Sequence, residues 1–154
     1  MLINLTTIPI QTRSNYPAPF QALVAGRQKQ RLGNAAGLTN FGVNWVTLAP
    51  GSASALRHWH QRQDEFVYIV AGQVVLVSEG AETVMTAGMM AAFPAGEANG
   101  HHLVNRSSEP AVYLEIGDRT PDDQVHYPDE DLVAQATETG WRFCHRDGQP
   151  YPEV

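Results

Sequence analysis

Between residues 42 and 117, short runs rich in β-branched and aromatic residues alternate with glycine and proline turn signals. That interval leaves room for strands and for little helix. Residues 42–49 (GVNWVTLA) end at Pro50-Gly51. Residues 65–71 (EFVYIVA) are interrupted by Gly72 and resume as 73–78 (QVVLVS), which predicts a hairpin with Gly72 at the positive-φ position. Gly80-Ala81 marks a turn before the strand 82–86, and residues 89–93 lead into Pro94-Ala95-Gly96. Residues 101–106 and 111–117 read as a further pair joined by the turn at 107–110. Short strands at this spacing predict an all-β antiparallel sandwich or barrel.

The flanks carry weaker patterns. Residues 1–39 read as a covering arm, with one strand around 28–32. Beyond Gly117 comes an acidic, proline-punctuated stretch to Asp131; residues 132–139 predict a turn or two of helix and 141–145 (WRFCH) an edge strand. Nothing divides the chain, so residues 1–154 are expected to form one domain with a core at about 40–118 and arms at 1–39 and 119–154.

Composition removes several functions. A net charge of −6 and a single lysine, Lys29, offer no basic stripe for nucleic acid. No apolar run approaches the roughly 18 residues needed to span a bilayer, and the first ten residues do not read as a signal peptide. The lone Cys144 has no internal disulfide partner, so a cytoplasmic location is expected.

Against this β pattern stand His58-x-His60-x4-Glu65 and, later, His101-x3-Asn105. In extended chain His58 and His60 share a face, as do His101 and Asn105. Imidazole with carboxylate suits a divalent transition metal and leaves thiolate out. The plain alternative, polar side chains lining a dry barrel mouth, would bury unmated polar groups at considerable cost.

In order, the landmarks are Gly51-x6-His58-x-His60-x4-Glu65-x6-Gly72 and Gly88-x5-Pro94-x-Gly96-x4-His101-x3-Asn105. This arrangement resembles the two motifs of the cupin family, a jelly roll or double-stranded β-helix barrel. The resemblance covers residues 51–105 directly, and the strand pattern extends it to about 117. It implies one divalent metal per chain (Fe, Mn, Ni or Zn) held by His58, His60, Glu65 and His101, with Asn105 as a hydrogen-bonding strut next to the site, behind the ligands. Two departures stand out. The gap from Gly51 to His58 is one residue longer than the common form, and that from Gly96 to His101 is two longer. The second enlarges the loop 96–100 and makes His102 a rival ligand, although parity and the His-x3-Asn spacing favour His101. Glu97 and Asn99, in the enlarged loop, are the candidates for substrate contact.

Other residues read as structural. His126 and His145 are isolated, Cys144 has no paired base, and parity places Arg57 and Arg106 away from the ligand face. The cupin scaffold serves isomerases, epimerases, oxygenases, decarboxylases, sensors and storage proteins, so the fold does not name a reaction. This chain resembles the short bacterial single-domain members. The expected function is that of a small isomerase-like metalloenzyme acting on a sugar, sugar phosphate or keto/hydroxy acid. An iron(II)-dependent dioxygenase and a non-catalytic metabolite- or metal-binding module are the alternatives. Open sheet edges make a homodimer the expected assembly.

Overall fold

The computed structural model describes residues 1–152, and nearly all regular structure in them is β. The strands are β1 (Arg27–Arg31), β2 (Phe41–Leu48), β3 (Trp59–His60), β4 (Glu65–Ala71), β5 (Gln73–Ser78) and β6 (Ala81–Thr86). They continue as β7 (Met90–Phe93), β8 (His102–Val104), β9 (Ala111–Asp118), β10 (Gln124–Tyr127), β11 (Leu132–Thr137) and β12 (Gly140–Cys144). One layer is the antiparallel sheet β1-β2-β9-β4-β7. Facing it are β6-β5-β8 and β12-β11-β10-β3, which the extended segment 53–60 joins through bridges Ala53–Val104 and His58–His101. This is an antiparallel barrel, as the strand spacing predicts, with the jelly-roll layering that the family resemblance implies.

Alternation along the strands builds the core. Val46 and Leu48 of β2, Val67 and Ile69 of β4, and Ala111 and Tyr113 of β9 point inward and meet Val74, Met85 and Leu103 of the opposite layer. A second cluster joins Tyr16 and Val24 of the N-terminal arm to Leu56, Val125, Tyr127, Leu132 and Ala134. Burying such side chains contributes about 1.5–3 kcal/mol each before chain entropy is counted. No helix among the described residues is long and apolar enough to cross a membrane.

Several local expectations hold: β1 lies where a strand was expected near residue 28, β6 follows a turn at residues 79–80, and β12 is an edge strand. Three others are corrected. Strands β4 and β5 are not a hairpin; β4 pairs with β7 and β9, and β5 with β6 and β8. Gly72, at φ 76°, instead carries the chain from one sheet to the other. In the same way β8 and β9, expected to pair, belong to opposite layers. Residues 132–137 form strand β11 rather than helix, because β10 and β12 offer ladder partners on both sides.

The crossing at Gly72 is also a close approach. A Cβ there would lie 2.7 Å from the carbonyl oxygen of Pro110 and 2.9 Å from Cα of Ala111. Gly72→Ala is therefore expected to lower stability by about 2 kcal/mol or more, from the left-handed backbone and the clash together. Chemical denaturation reads this directly, and an unchanged midpoint would rule out the close approach.

Candidate metal centre

Four side chains named by the sequence motifs converge where the two core clusters meet. His58 precedes β3, His60 ends it, Glu65 opens β4 and His101 immediately precedes β8. The Nε2 atoms of His58 and His60 lie 3.4 Å and 3.5 Å from the Glu65 carboxylate, and that of His101 lies 3.0 Å from it. Ligand atoms of His58, His60 and Glu65 fall within 4.8 Å of one another, a group able to hold a metal ion.

The outer nitrogens decide how the rings face. Nδ1 of His58 is 2.8 Å from the carbonyl of Leu56, which can only accept, so that nitrogen carries the proton. Nδ1 of His60 bonds to Oδ2 of Asp123 at 2.6 Å, and Nδ1 of His101 faces the carbonyl of Asn99 at 3.4 Å. Each acceptor fixes the tautomer and turns an Nε2 lone pair inward, the arrangement that orients imidazole ligands around a metal. Packing holds the same rings: His101 stacks on Phe93 with centroids 3.5 Å apart, while Trp141 meets His60 edge-on and Tyr127 lies beside His58. The donor set therefore fits a divalent transition ion on both chemistry and orientation.

Electrostatics point the same way. Burial works against a charge on Glu65, but the charge of His58 and hydrogen bonds from all three histidines outweigh it and hold the carboxyl well below its usual range. For His60, burial again opposes charge; the bonds to Asp123 and Glu65 overcome it and raise the pKa to about 10. Burial, then the nearby His58, lowers that of His101. A cation among the Nε2 atoms would take the place of the proton on His60.

The remaining candidates lie elsewhere. His102 turns its Nδ1 to the carbonyl of Ala55 at 2.9 Å and makes no bond to Glu65, so the structure brings His101 into the cluster. Asn105 is fully buried, but its amide serves Leu48, Glu109 and Ser107 and touches none of the ligands. The expectation that it supports the ligands is thus corrected: it is a strut that ties β2 to the 105–109 turn. The side chain of Asn99 accepts from the backbone of Glu79, and Glu97 is exposed; neither lines the cleft above the cluster. Asn99 reaches the site through its carbonyl alone. Arg57 ties Asp129, Glu79 and the Gly100 carbonyl together, and Arg106 pairs with Glu82. His126 stacks on Trp59, and His145 bonds to Asp131.

Sequence reasoning missed Asp123, Phe93, Tyr127 and Trp141. The cluster opens into a cleft of about 1650 Å³ between the five-stranded sheet, the N-terminal arm and the C-terminal strands.

A model of the cupin domain matches residues 44–117. A solved sugar phosphate isomerase of the cupin superfamily from Silicibacter pomeroyi is 43% identical, over 99% of this chain and 97% of that one, with a TM-score of 0.94. The chain belongs to the cupin superfamily. A second solved structure, from Acidithiobacillus ferrooxidans and provisionally assigned sugar phosphate isomerase activity, is 27% identical over 84% of each chain, with a TM-score of 0.74. The polyketide cyclase RemF of Streptomyces resistomycificus, at 16% identity, covers 77% of this cupin and 78% of its own chain with a TM-score of 0.63, a likeness of fold alone. A search of curated proteins gives no match.

Proposed function

We propose that this cupin is a metal-dependent enzyme of the isomerase type, acting on a sugar, sugar phosphate or keto/hydroxy acid. The observation that carries the reading is the set of three imidazoles whose outer nitrogens are each engaged and whose inner nitrogens surround Glu65 at the floor of an open polar cleft. Likeness to the Silicibacter pomeroyi sugar phosphate isomerase along nearly the whole chain supports the choice of reaction class.

His58, His60, Glu65 and His101 would hold the ion. When bound, it would supply a Lewis acid for a carbonyl or for adjacent hydroxyl oxygens. The chain's own contribution is orientation and proton movement. Glu115 of β9 lines the same cleft, and its Oε1 accepts from Lys29 at 2.7 Å and Asn44 at 2.9 Å. Burial disfavours its charge, but Lys29 more than compensates and keeps it ionised. Its Oε2 has no hydrogen-bond partner among the described residues and can take a proton from a substrate carbon or hydroxyl. Phe93, Tyr127 and Trp141, which also line the cleft, hold the histidine rings by packing against them.

The test is elemental analysis of protein purified without chelator, followed by assay against a panel of aldose and ketose phosphates. About one metal ion per chain is expected, with interconversion lost on chelation, restored by metal and unaffected under nitrogen. Negligible metal in the folded protein, or turnover that needs oxygen, would overturn the reading.

A further inference from the structure

Although the chain is acidic overall, five of its ten cationic side chains line the cleft above the metal cluster: Arg13, Arg27, Lys29, Arg31 and Arg119. Three come from β1, whose sequence Arg-Gln-Lys-Gln-Arg places alternate residues on one face. The register sets Arg27, Lys29 and Arg31 opposite Leu48, Val46 and Asn44, the inward face of β2. Two of the three are already engaged: Lys29 pairs with Glu115, and Arg27 donates to the carbonyl of Ser54. Arg31 makes no side-chain hydrogen bond among the described residues.

Arg119 is held differently. Its Nη1 donates to the carbonyl of Leu38 at 2.8 Å and its Nη2 to Asn34. These two bonds fix the guanidinium and leave three of its five N–H groups unspent, among them Nε–H and one Nη2–H. Nε and Nη2 lie over Gly42, 3.8 Å and 3.7 Å from where a Cβ would stand. The neighbouring acid, Asp118, is occupied by the backbone amides of Asp64 and Thr120.

Between Arg119 and the metal cluster the sheet carries no side chains. Gly42 pairs with Gly117, and Gly117 with Glu65, so the three stand in one row across β2, β9 and β4. The row spans about 10 Å, two interstrand spacings. With bonds of about 1.5 Å, roughly seven or eight bonds of an extended chain would cover it, and fewer once the contact distance at each end is subtracted.

We propose that Arg119 and Arg31 form a phosphate subsite, reached across the floor of Gly117 and Gly42, for a phosphorylated sugar whose far end lies at the Glu65 cluster. The metal end of this assignment rests on the function proposed above; the phosphate end does not. An Arg fork with a fixed plane suits bidentate contact to a phosphate, and Arg31 adds the second charge.

The test is titration with inorganic phosphate and with ribose 5-phosphate, followed by ³¹P line width, on protein with and without metal. Wild type should bind both probes in either state. Arg119→Gln and Arg31→Gln should each weaken binding about tenfold or more, with metal content unchanged and Arg142→Gln unaffected. Arg31 has no partners to lose, so its variant guards against a folding defect in Arg119→Gln. Metal retained with no phosphate bound by wild type, or equal binding by the variants, would overturn the subsite and leave the metal reading standing. Phosphate bound by a protein that takes up no metal would support the subsite and remove the metal reading.

Discussion

Asp123→Ala is expected to weaken metal binding by about 10- to 100-fold while leaving all four candidate ligands in place. Asp123 is 2% exposed, and it accepts from Nδ1 of His60 at 2.6 Å and from the backbone amide of Arg62 at 2.7 Å. The first bond sets the tautomer and angle of the ring; the second pins the chain that leaves β3. Without the carboxylate, His60 can rotate and a buried amide loses its acceptor, at a further cost to folding of about 1–3 kcal/mol. Asp123→Asn keeps an oxygen for the amide of Arg62 but no charge for the imidazole, so it should fall between alanine and wild type. Competition titration against a chromophoric chelator gives the affinity, and circular dichroism confirms that the barrel persists. If Asp123→Ala binds metal as tightly as wild type, the orienting role is wrong.

Asn105→Leu should do the opposite, costing stability without touching the metal. The Asn105 amide donates to the carbonyls of Leu48 and Glu109, each at 2.8 Å, and its oxygen accepts from the amide and hydroxyl of Ser107. Every hydrogen-bonding position of the side chain is used, and the residue is fully buried. An apolar replacement strands two carbonyls and an amide, so a loss of about 3 kcal/mol or more is expected in urea denaturation. Metal affinity should be unchanged, because the residue lies about 13 Å along the strand from His101. A variant of full stability, or one that loses metal while remaining folded, would refute this assignment.

The contrast between these two residues shows what could be read in advance. His58 and His60 were legible because a period of two forces them onto one face, and Glu65 because it opens a strand after a short turn. Asn105 was legible as a strut but was wrongly placed beside the ligands, because spacing alone could not show that its partners are Leu48, Ser107 and Glu109. Asp123 had no such signal. It follows Asp122 in an acidic stretch that reads as loop, and only the turn, with Asp122 at φ 57°, aims the second carboxylate inward. The misreadings at Gly72 and at 107–110 share a cause. A glycine turn between two β-rich runs looks the same whether the runs pair or change layers, and only nonlocal partners decide. Residues 132–137 carry helix-forming Leu, Ala and Gln, yet Leu132 and Ala134 are buried while Gln135 is exposed, the period of a strand.

The C-terminal strands change how the molecule should be cut. Strand β3, which bears His60, has its ladder partners among the described residues in β10 alone, and β10 follows the loop that supplies Asp123. The stretch recognised as the domain ends at residue 117, before either. An excised piece with those limits would keep every candidate ligand in its sequence and lose the scaffolding that aims one of them, so the recognisable stretch stops short of what the candidate site is built from.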